Sequence, residues 1–204
     1  RKSSTFSSKW VITSIVVGGT KATDVIDVMT HLDEKVDDFL LGGIAGELFL
    51  RAAGYPVGYD IDDANLYDEQ WEANSEKIES MLEDHRDQIT LAVDLAYEDE
   101  NGDRAEQAVD DIEEKSVSYL DVGSETVMEY SPIIRDSEAV FVKGALGMFE
   151  DERFSVGTAG VLEAIADTDC FSVVGGGDTS RAIEMYGMEE DEFGHVSIAG
   201  GAYI

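Results

Sequence analysis

Apolar and polar positions follow two distinct patterns along the chain. Short, β-branched apolar runs, most of which stop at glycines, are typical of strands that are buried on both faces of a sheet. These runs lie at residues 10–17, 39–41, 89–95, 139–142, 171–174 and 195–198. Between them, apolar residues recur every three or four positions, as in helices with one buried face. The helical stretches are 24–32, 45–53, 68–83, 124–134, 158–166 and 181–186.

This alternation of strands and helices predicts an α/β fold. We expect a doubly wound, mainly parallel sheet with helices on both faces, in a Rossmann-like three-layer arrangement. The chain has 204 residues, 43% of them hydrophobic, which suits one domain with a substantial core. Residues 1–9 are rich in Ser and Thr and carry three of the fourteen basic residues, so we interpret them as a linker or boundary segment. The domain proper is then 10–204.

The glycine-rich junction at residues 172–180 carries the strongest chemical signal. An apolar run ends at Gly175, Gly176 and Gly177, and Asp178 and Thr179 then open a helical pattern. Glycines at a strand end let backbone amides face a ligand, and the first turn of a helix adds its free N–H groups. Such a junction favours phosphate binding, and the carboxylate of Asp178 adds a ligand for Mg²⁺.

Glycine pairs end other predicted strands too, at Gly18-Gly19 and Gly42-Gly43. The carboxyl ends of parallel strands share one edge of a sheet, where ligands bind. A shared binding edge is therefore the favoured interpretation, and close helix packing alone is the alternative.

Two lysines follow this pattern. Lys21 comes directly after the first glycine pair and opposes the dipole of the helix that it precedes, which favours a phosphate contact over a solvated role. Lys143 ends a buried run just before Gly144, where a ligand contact and simple exposure at a strand end are equally compatible with the pattern.

Charge narrows the class of protein. Forty-five acidic residues face fourteen lysines and arginines, giving a formal net charge of −31, which excludes nucleic acids and anionic membranes as partners. The recurrent apolar runs argue against disorder. A calcium loop at 99–103 lacks the sixth-position Gly and the closing Glu, so we interpret it as a solvated turn. Adaptation to high salt is favoured, because ions screen repulsion between acids, with a Debye length of about 3 Å at 1 M.

Other signals set limits. The single cysteine, Cys170, excludes an intrachain disulfide, and we expect it to be buried and inert. The three histidines lack metal-ligand spacing, and no nucleophile elbow or P-loop motif occurs. No run reaches the ~20 apolar residues of a membrane helix, and no signal peptide is recognisable, so we expect a cytoplasmic protein.

In order and spacing, six blocks of the sequence resemble the C-terminal, nucleotide-binding domain of phosphoglycerate kinases. The blocks are Gly18-Gly19-Thr20-Lys21, Leu41-Gly42-Gly43-Ile44-Ala45, Leu120-Asp121-Val122-Gly123, Gly144 to Glu150 with the following Gly157-Thr158, Gly175 to Thr179, and His195 to Ala202.

The resemblance implies a kinase that moves a phosphoryl group between ADP or ATP and the pair 3-phosphoglycerate and 1,3-bisphosphoglycerate, with Mg²⁺. It implies an adenosine site at Gly18, Gly19, Gly42, Gly43, Leu120 and Glu150. Asp178 would hold Mg²⁺ and Thr179 would contact phosphate, while Lys21 and the amides around Gly176, Gly177, Gly200 and Gly201 would hold the transferring group.

Departures from the family pattern lead to further expectations. Where the family often has a second lysine, Val25 stands here, and Lys143 replaces an Asn; we hypothesise that Lys143 supplies the missing charge. The family's basic substrate-binding domain has no counterpart here, so we expect a monomeric nucleotide-binding half with little turnover alone. A non-catalytic nucleotide module and an acidic interaction protein without a ligand are the competing hypotheses.

Overall fold

The computed structural model describes residues 13–58, 66–113 and 117–197. Its strands are β1 (Thr13–Val17), β2 (Asp38–Leu41), β3 (Ile89–Thr90), β4 (Asp94–Glu98), β5 (Arg104–Ala108), β6 (Tyr119–Val122), β7 (Ala139–Lys143), β8 (Phe171–Gly175) and β9 (His195–Ser197). Its α-helices are α1 (Ala22–Leu32), α2 (Gly43–Ala52), α3 (Leu66–Asp84), α4 (Ser124–Asp136), α5 (Val156–Ala166) and α6 (Gly177–Met185). The predicted linker at 1–9 and the predicted site residues Gly200 and Gly201 lie outside the described residues.

Six strands form one sheet in the order β3-β2-β1-β7-β8-β9, and every neighbouring pair is parallel. The register aligns the last residues of the inner strands: Leu41 pairs with Val17, Val17 with Lys143, and Lys143 with Gly175. The sheet confirms the predicted mainly parallel α/β fold. Because the strands end in register, the glycine turns that follow them lie along one edge.

Alternate residues of β1, β2 and β7 enter two separate cores, one on each face of the sheet. In β1, Val16 packs in the core that contains Tyr130 and Leu162 of α4 and α5. Its neighbours Ile15 and Val17 pack in the core that contains Met29 of α1 and Ile78 of α3. Because successive strand residues point to opposite faces, this apolar run fills both cores and produces three layers.

A second, three-stranded antiparallel sheet in the order β5-β4-β6 was not predicted. The apolar run at 89–95 divides between the two sheets: β3 joins the parallel sheet and β4 starts the other one. β5 is the polar edge strand Arg104–Ala108, which carries no buried residue and hence no strand-like apolar signal. The turn between β4 and β5 is built by Asp99, whose Oδ1 accepts from the amides of Asn101 (2.8 Å) and Asp103 (2.9 Å).

Two buried polar side chains hold α4 in place. Asp94, at the start of β4, accepts hydrogen bonds from the amides of Glu125 (3.0 Å) and Thr126 (2.8 Å) and so caps the helix from a different element. The fully buried Tyr130 donates its hydroxyl to the carbonyl oxygens of Leu41 (2.7 Å) and Thr90 (3.2 Å), at the ends of two parallel strands.

The expectation of a buried cysteine was wrong. Cys170 is partly exposed, with its sulfur 2.9 Å from the hydroxyl of Thr168, and the following Phe171 is 61% exposed. Both residues lie at the amino end of β8, where the strand has just left a turn. Within the described ranges, none of the helices has the length and apolar character that crossing a bilayer requires.

Candidate functional site

Three turns interlock at the carboxyl edge of the parallel sheet. The turn after β1 bonds to the loop after β7 through Gly18 N to Lys143 O (2.9 Å) and Gly19 N to Ala145 O (2.7 Å). The turn after β2 joins the same loop through Gly43 N to Leu146 O (3.0 Å). The two glycine pairs are thus fixed to one loop that lies more than a hundred residues further along the chain.

Glycine is required where these backbones approach. A Cβ at Gly18 would lie 2.1 Å from the carbonyl oxygen of Ala145, well inside any real contact. Gly144 has φ +85°, and its Cβ would lie 2.4 Å from the carbonyl oxygen of Gly18. The glycine turns therefore share one edge of the sheet, and close packing of backbone against backbone between the turns holds them there; that a ligand binds at this edge stays a prediction.

The same bonds correct one part of the sequence interpretation, namely that the glycine amides are free to hold a ligand. The amides of Gly18, Gly19 and Gly43 donate as described above, that of Gly42 donates to Val17 O (3.0 Å), and that of Gly176 donates to Ser197 O (3.0 Å). These glycines shape the edge and do not offer donors to it. Among the predicted site glycines that the structure describes, Gly177 is open: it is the first residue of α6, no helical carbonyl precedes its amide, and a Cβ there would meet no atom within 4 Å.

A cavity of about 600 Å³ lies along this edge, over the ends of β1, β7, β8 and β9. Lys21 at the start of α1 and Lys143 at the end of β7 both line it. The acidic Asp178 and the hydroxyl-bearing Thr179 of α6 line it as well. Two ammonium groups and the positive end of α6, set against the carboxylates of Asp24 and Asp178, suit this cavity to an anion that is bound together with a cation.

A second cavity of about 390 Å³ adjoins the first and shares Gly19, Thr20 and Asp178 with it. Apolar residues of the antiparallel sheet, together with Ala92 before β4 and Leu146 in the loop after β7, form much of its wall; those of the sheet are Leu95, Leu120 and Val122. Gly42, Gly43 and Glu150 line it too. A ligand that occupied both cavities would have an apolar group at one end and an anionic group at the other.

The structure gives hydrogen-bond or ion-pair partners to three more of the predicted site residues, Leu120, Glu150 and Thr179. The carbonyl oxygen of Leu120 accepts from Met148 N (2.7 Å), which ties the second sheet to the loop after β7. Glu150 is exposed and lies 3.3 Å from the guanidinium of Arg181. Thr179 is buried, and its hydroxyl donates to the carbonyl oxygen of Gly175 at 3.3 Å.

Asp178 is the residue in this arrangement that is suited to a metal. The described part of the chain contains no group of three or more His, Cys, Asp or Glu side chains able to hold a metal ion. Mg²⁺ is usually held by one or two carboxylates together with ligand phosphates, so one exposed carboxylate at the junction of the two cavities suits it.

Asp121 was missed as an individual residue, although its motif was noted. It is buried at the back of the second cavity, where its Oδ2 accepts from Arg104 (3.0 Å) and from Gly157 N (2.9 Å). Burial raises the pKa of its carboxyl to about 6, although these hydrogen bonds and the charge of Arg104 lower it. A Cβ at Gly147 or Gly157 would lie 2.3 or 2.4 Å from Asp121 Oδ1, so the carboxyl fixes both segments.

Glu47 was missed altogether. This α2 residue is 6% exposed and lines the second cavity, and the hydroxyl of Tyr67 donates to its Oε1 at 3.0 Å. Burial raises the pKa of Glu47 to about 8, with hydrogen bonds from Tyr67 and from the backbone of Gly58 opposing the rise. An acid on an apolar helix was the one available signal, and in so acidic a chain it does not stand out.

Comparison with known proteins gives a consistent answer. A family model described as phosphoglycerate kinase matches residues 5–204. A phosphoglycerate kinase of Haloarcula marismortui is 97% identical over 191 residues, which cover 94% of this chain and 48% of that protein. The corresponding protein of Haloarcula vallismortis is 91% identical over 94% of this chain and 47% of its own length.

Solved structures agree with the sequence matches. The crystal structure of phosphoglycerate kinase from Pyrococcus horikoshii OT3 superposes with a TM-score of 0.83 at 28% identity, covering 97% of this chain and 49% of that one. The chain therefore spans about half the length of the curated relatives that it matches. With a family model that covers nearly all of its residues, the chain belongs to the phosphoglycerate kinase family.

Proposed function

We propose that residues 10–204 form the nucleotide-binding half of a phosphoglycerate kinase, which binds Mg-ADP or Mg-ATP and takes part in reversible phosphoryl transfer between 1,3-bisphosphoglycerate and 3-phosphoglycerate. The observation that carries this proposal is the pair of adjoining cavities at one sheet edge, one apolar and one with two lysines. A nucleotide has the same two ends in the same order.

In this proposal the base lies in the second cavity and the phosphates lie in the first. Gly19, Gly42 and Gly43 line the second cavity and Gly18 lines the first, and Leu120 supplies an apolar surface for the base. Glu150 lies on the exposed side of the same cavity, where a carboxylate can accept from ribose hydroxyls.

The phosphates meet positive charge from three elements. Lys21 approaches from α1, Lys143 from β7, and the amide of Gly177 from the first turn of α6. Preorganised donors and cations stabilise the charge that spreads over the transferring phosphoryl group. Asp178 holds Mg²⁺, which when bound neutralises phosphate charge beside these residues. Gly176 supports the turn, and Thr179 anchors it by its bond to Gly175.

Gly200 and Gly201 stay predictions for the transferring group, because they follow β9 outside the described residues. We also propose that the residues that bind 3-phosphoglycerate lie in the half of the relatives that this chain does not cover. Phosphoryl transfer depends on placing both substrates, so the chain by itself would bind nucleotide and turn over little. We further propose a monomer that works in the cytoplasm at multimolar salt, as the net charge of −31 favours.

Two measurements test this proposal. Calorimetry of the 204-residue chain with Mg-ADP in multimolar KCl should show one site per chain, and absence of binding would reject the nucleotide site. Adding a polypeptide that covers the other half of the Haloarcula marismortui relative should restore turnover. Binding without any recovered turnover would favour a non-catalytic nucleotide module on the same fold.

Lys143 provides a sharper test. Lys143→Ala should weaken Mg-ATP binding by about 10- to 100-fold, because a hydrogen bond between charged groups contributes ~1.5–3 kcal/mol. Lys35→Ala is the matched control, since Lys35 is exposed in the segment between α1 and β2 and lines neither of the two cavities. Equal losses in the two variants would refute a phosphate contact for Lys143.

A further inference from the structure

Glu47 is a buried acidic residue that lines the second cavity and has no cationic partner among the described residues. Asp121, the other buried acid there, is paired with Arg104, and the exposed Glu150 is paired with Arg181. Within the described residues no Lys, Arg or His lies at ion-pair distance from Glu47. Burying a carboxyl in an apolar wall without a cation costs folding free energy, which favours a functional role for Glu47.

The groups that face Glu47 come from four elements. The α3 residue Tyr67 donates to Oε1, and the backbone of Gly58 also hydrogen-bonds the carboxyl. From β6, the negative charge of Glu47 acts on Tyr119, whose pKa is raised to about 12, chiefly by burial and then by this charge. One turn along α2, Arg51 is directed away to Asp68 (3.0 Å). None of these neighbours supplies positive charge to the carboxyl.

The protonation state of Glu47 follows from this environment. With a pKa of about 8, its carboxyl is mostly neutral at pH 7. Oε1 accepts from Tyr67 in this environment. A neutral carboxyl offers one donor and an acceptor, whereas the ionised carboxylate offers acceptors only.

Adenine and guanine differ in the hydrogen-bond donors and acceptors that they present to such a carboxyl. Adenine presents a ring nitrogen acceptor beside its amino donor, which a protonated carboxyl complements. Guanine presents two neighbouring donors, a ring N–H and an amino group, which an ionised carboxylate complements with two parallel bonds. The two states of one buried acid thus suit different bases.

We infer that Glu47 is a specificity-determining residue that reads the edge of the purine base in the second cavity, favouring adenine when it is protonated and guanine when it is ionised. This inference rests on the proposed function, because it requires a nucleotide whose base occupies that cavity. It adds a contact that the sequence blocks of the family do not include.

The test is the ratio of Mg-ADP to Mg-GDP affinity, measured by calorimetry on the 204-residue chain in multimolar KCl at pH 7.0 and pH 8.5. Taking a ratio cancels the titration of phosphates and of the lysines, which is common to both ligands. The ratio of protonated to ionised carboxyl falls about thirtyfold over this interval, so the affinity ratio should fall severalfold, by as much as about thirtyfold.

Glu47→Gln supplies the matched variant, because its amide keeps one donor and one acceptor at every pH. It should retain the preference for ADP and lose the pH dependence of the ratio. Tyr67→Phe is a second variant that leaves the carboxyl in place. The hydrogen bond from Tyr67 lowers the pKa of Glu47, so its removal should raise that pKa. The change in the affinity ratio should then occur at higher pH.

The outcomes separate the two proposals. If neither nucleotide binds the wild-type chain at either pH, the nucleotide site itself is rejected. If both bind and the wild-type ratio does not change with pH, Glu47 does not read the base and the nucleotide site stands. If the affinity ratio of Glu47→Gln changes with pH as that of the wild type does, Glu47 likewise does not read the base.

Discussion

Substituting Gly144 tests whether the interlocked turns, and not merely local glycine flexibility, build the site. Gly144 has φ +85°, and a Cβ there would lie 2.4 Å from Gly18 O and 2.7 Å from Gly18 C. Gly102, in the turn between β4 and β5, provides a matched control, because its φ is +82° and a Cβ there would meet no atom within 4 Å. The two positions share the backbone strain and differ in the contact.

The expected magnitudes follow from this difference. Gly102→Ala should cost about 1–2 kcal/mol of unfolding free energy, the cost of a left-handed conformation for a residue with a Cβ. Gly144→Ala carries the same cost and must also move the turn after β1. That movement strains the bonds Gly18 N to Lys143 O and Gly19 N to Ala145 O, each contributing about 1 kcal/mol. We therefore expect a total loss of about 3–4 kcal/mol.

Urea unfolding in multimolar salt, followed by circular dichroism, measures both losses. Mg-ADP calorimetry on the same variants should show weakened binding for Gly144→Ala alone, because only that turn carries Lys143 and borders the cavities. Equal losses of stability, or unchanged nucleotide affinity in a folded Gly144→Ala, would refute the view that contact between the turns fixes the site.

Three further predictions concern stability. Tyr130→Phe should cost about 1–3 kcal/mol, because it leaves the buried carbonyl oxygen of Leu41 without this donor; urea unfolding measures the loss, and a neutral effect would contradict it. The folded-state pKa of Glu47 is raised from 4.5 to about 8, so the folded state binds a proton more tightly than the unfolded chain. The stability of the wild type relative to Glu47→Gln should therefore fall as pH rises from about 4.5 to about 8, by at most ~1.4 kcal/mol per unit, and then level off; parallel pH profiles would contradict this. Finally, lowering the salt from multimolar to 0.1 M lengthens the Debye length to about 10 Å and should lower Tm, whereas a Tm indifferent to salt would contradict repulsion between the acidic residues.

The sequence predicted the parallel sheet well because its strands are buried on both faces. A run such as 15–17 has to fill two cores and so leaves a clear apolar signal. The second sheet left no such signal. β5 is an edge strand with no buried residue, and its pairing with β4 depends on a turn and on Arg104 reaching Asp121, which are contacts that only folding creates.

The candidate site, too, could be predicted from the sequence only in part. Gly18, Gly43, Gly144 and Gly176 could be singled out because a backbone that must turn sharply or approach another closely tolerates little else. Their function as spacers depends on distant partners, because the amides of Gly18, Gly43 and Gly176 are engaged by Lys143, Leu146 and Ser197.

The sequence by itself determined the order of the parallel strands and of the helices between them, the place of the glycine turns at the strand ends, and the family to which these blocks are similar. These properties are local, since they follow from residue type, spacing and the conformations that a short segment can adopt. The tertiary structure alone decided which amides are consumed by neighbouring turns, which acids are desolvated, and that Glu47 and Asp121 line one cavity. Those properties depend on burial and on distances between segments, which no stretch of sequence contains.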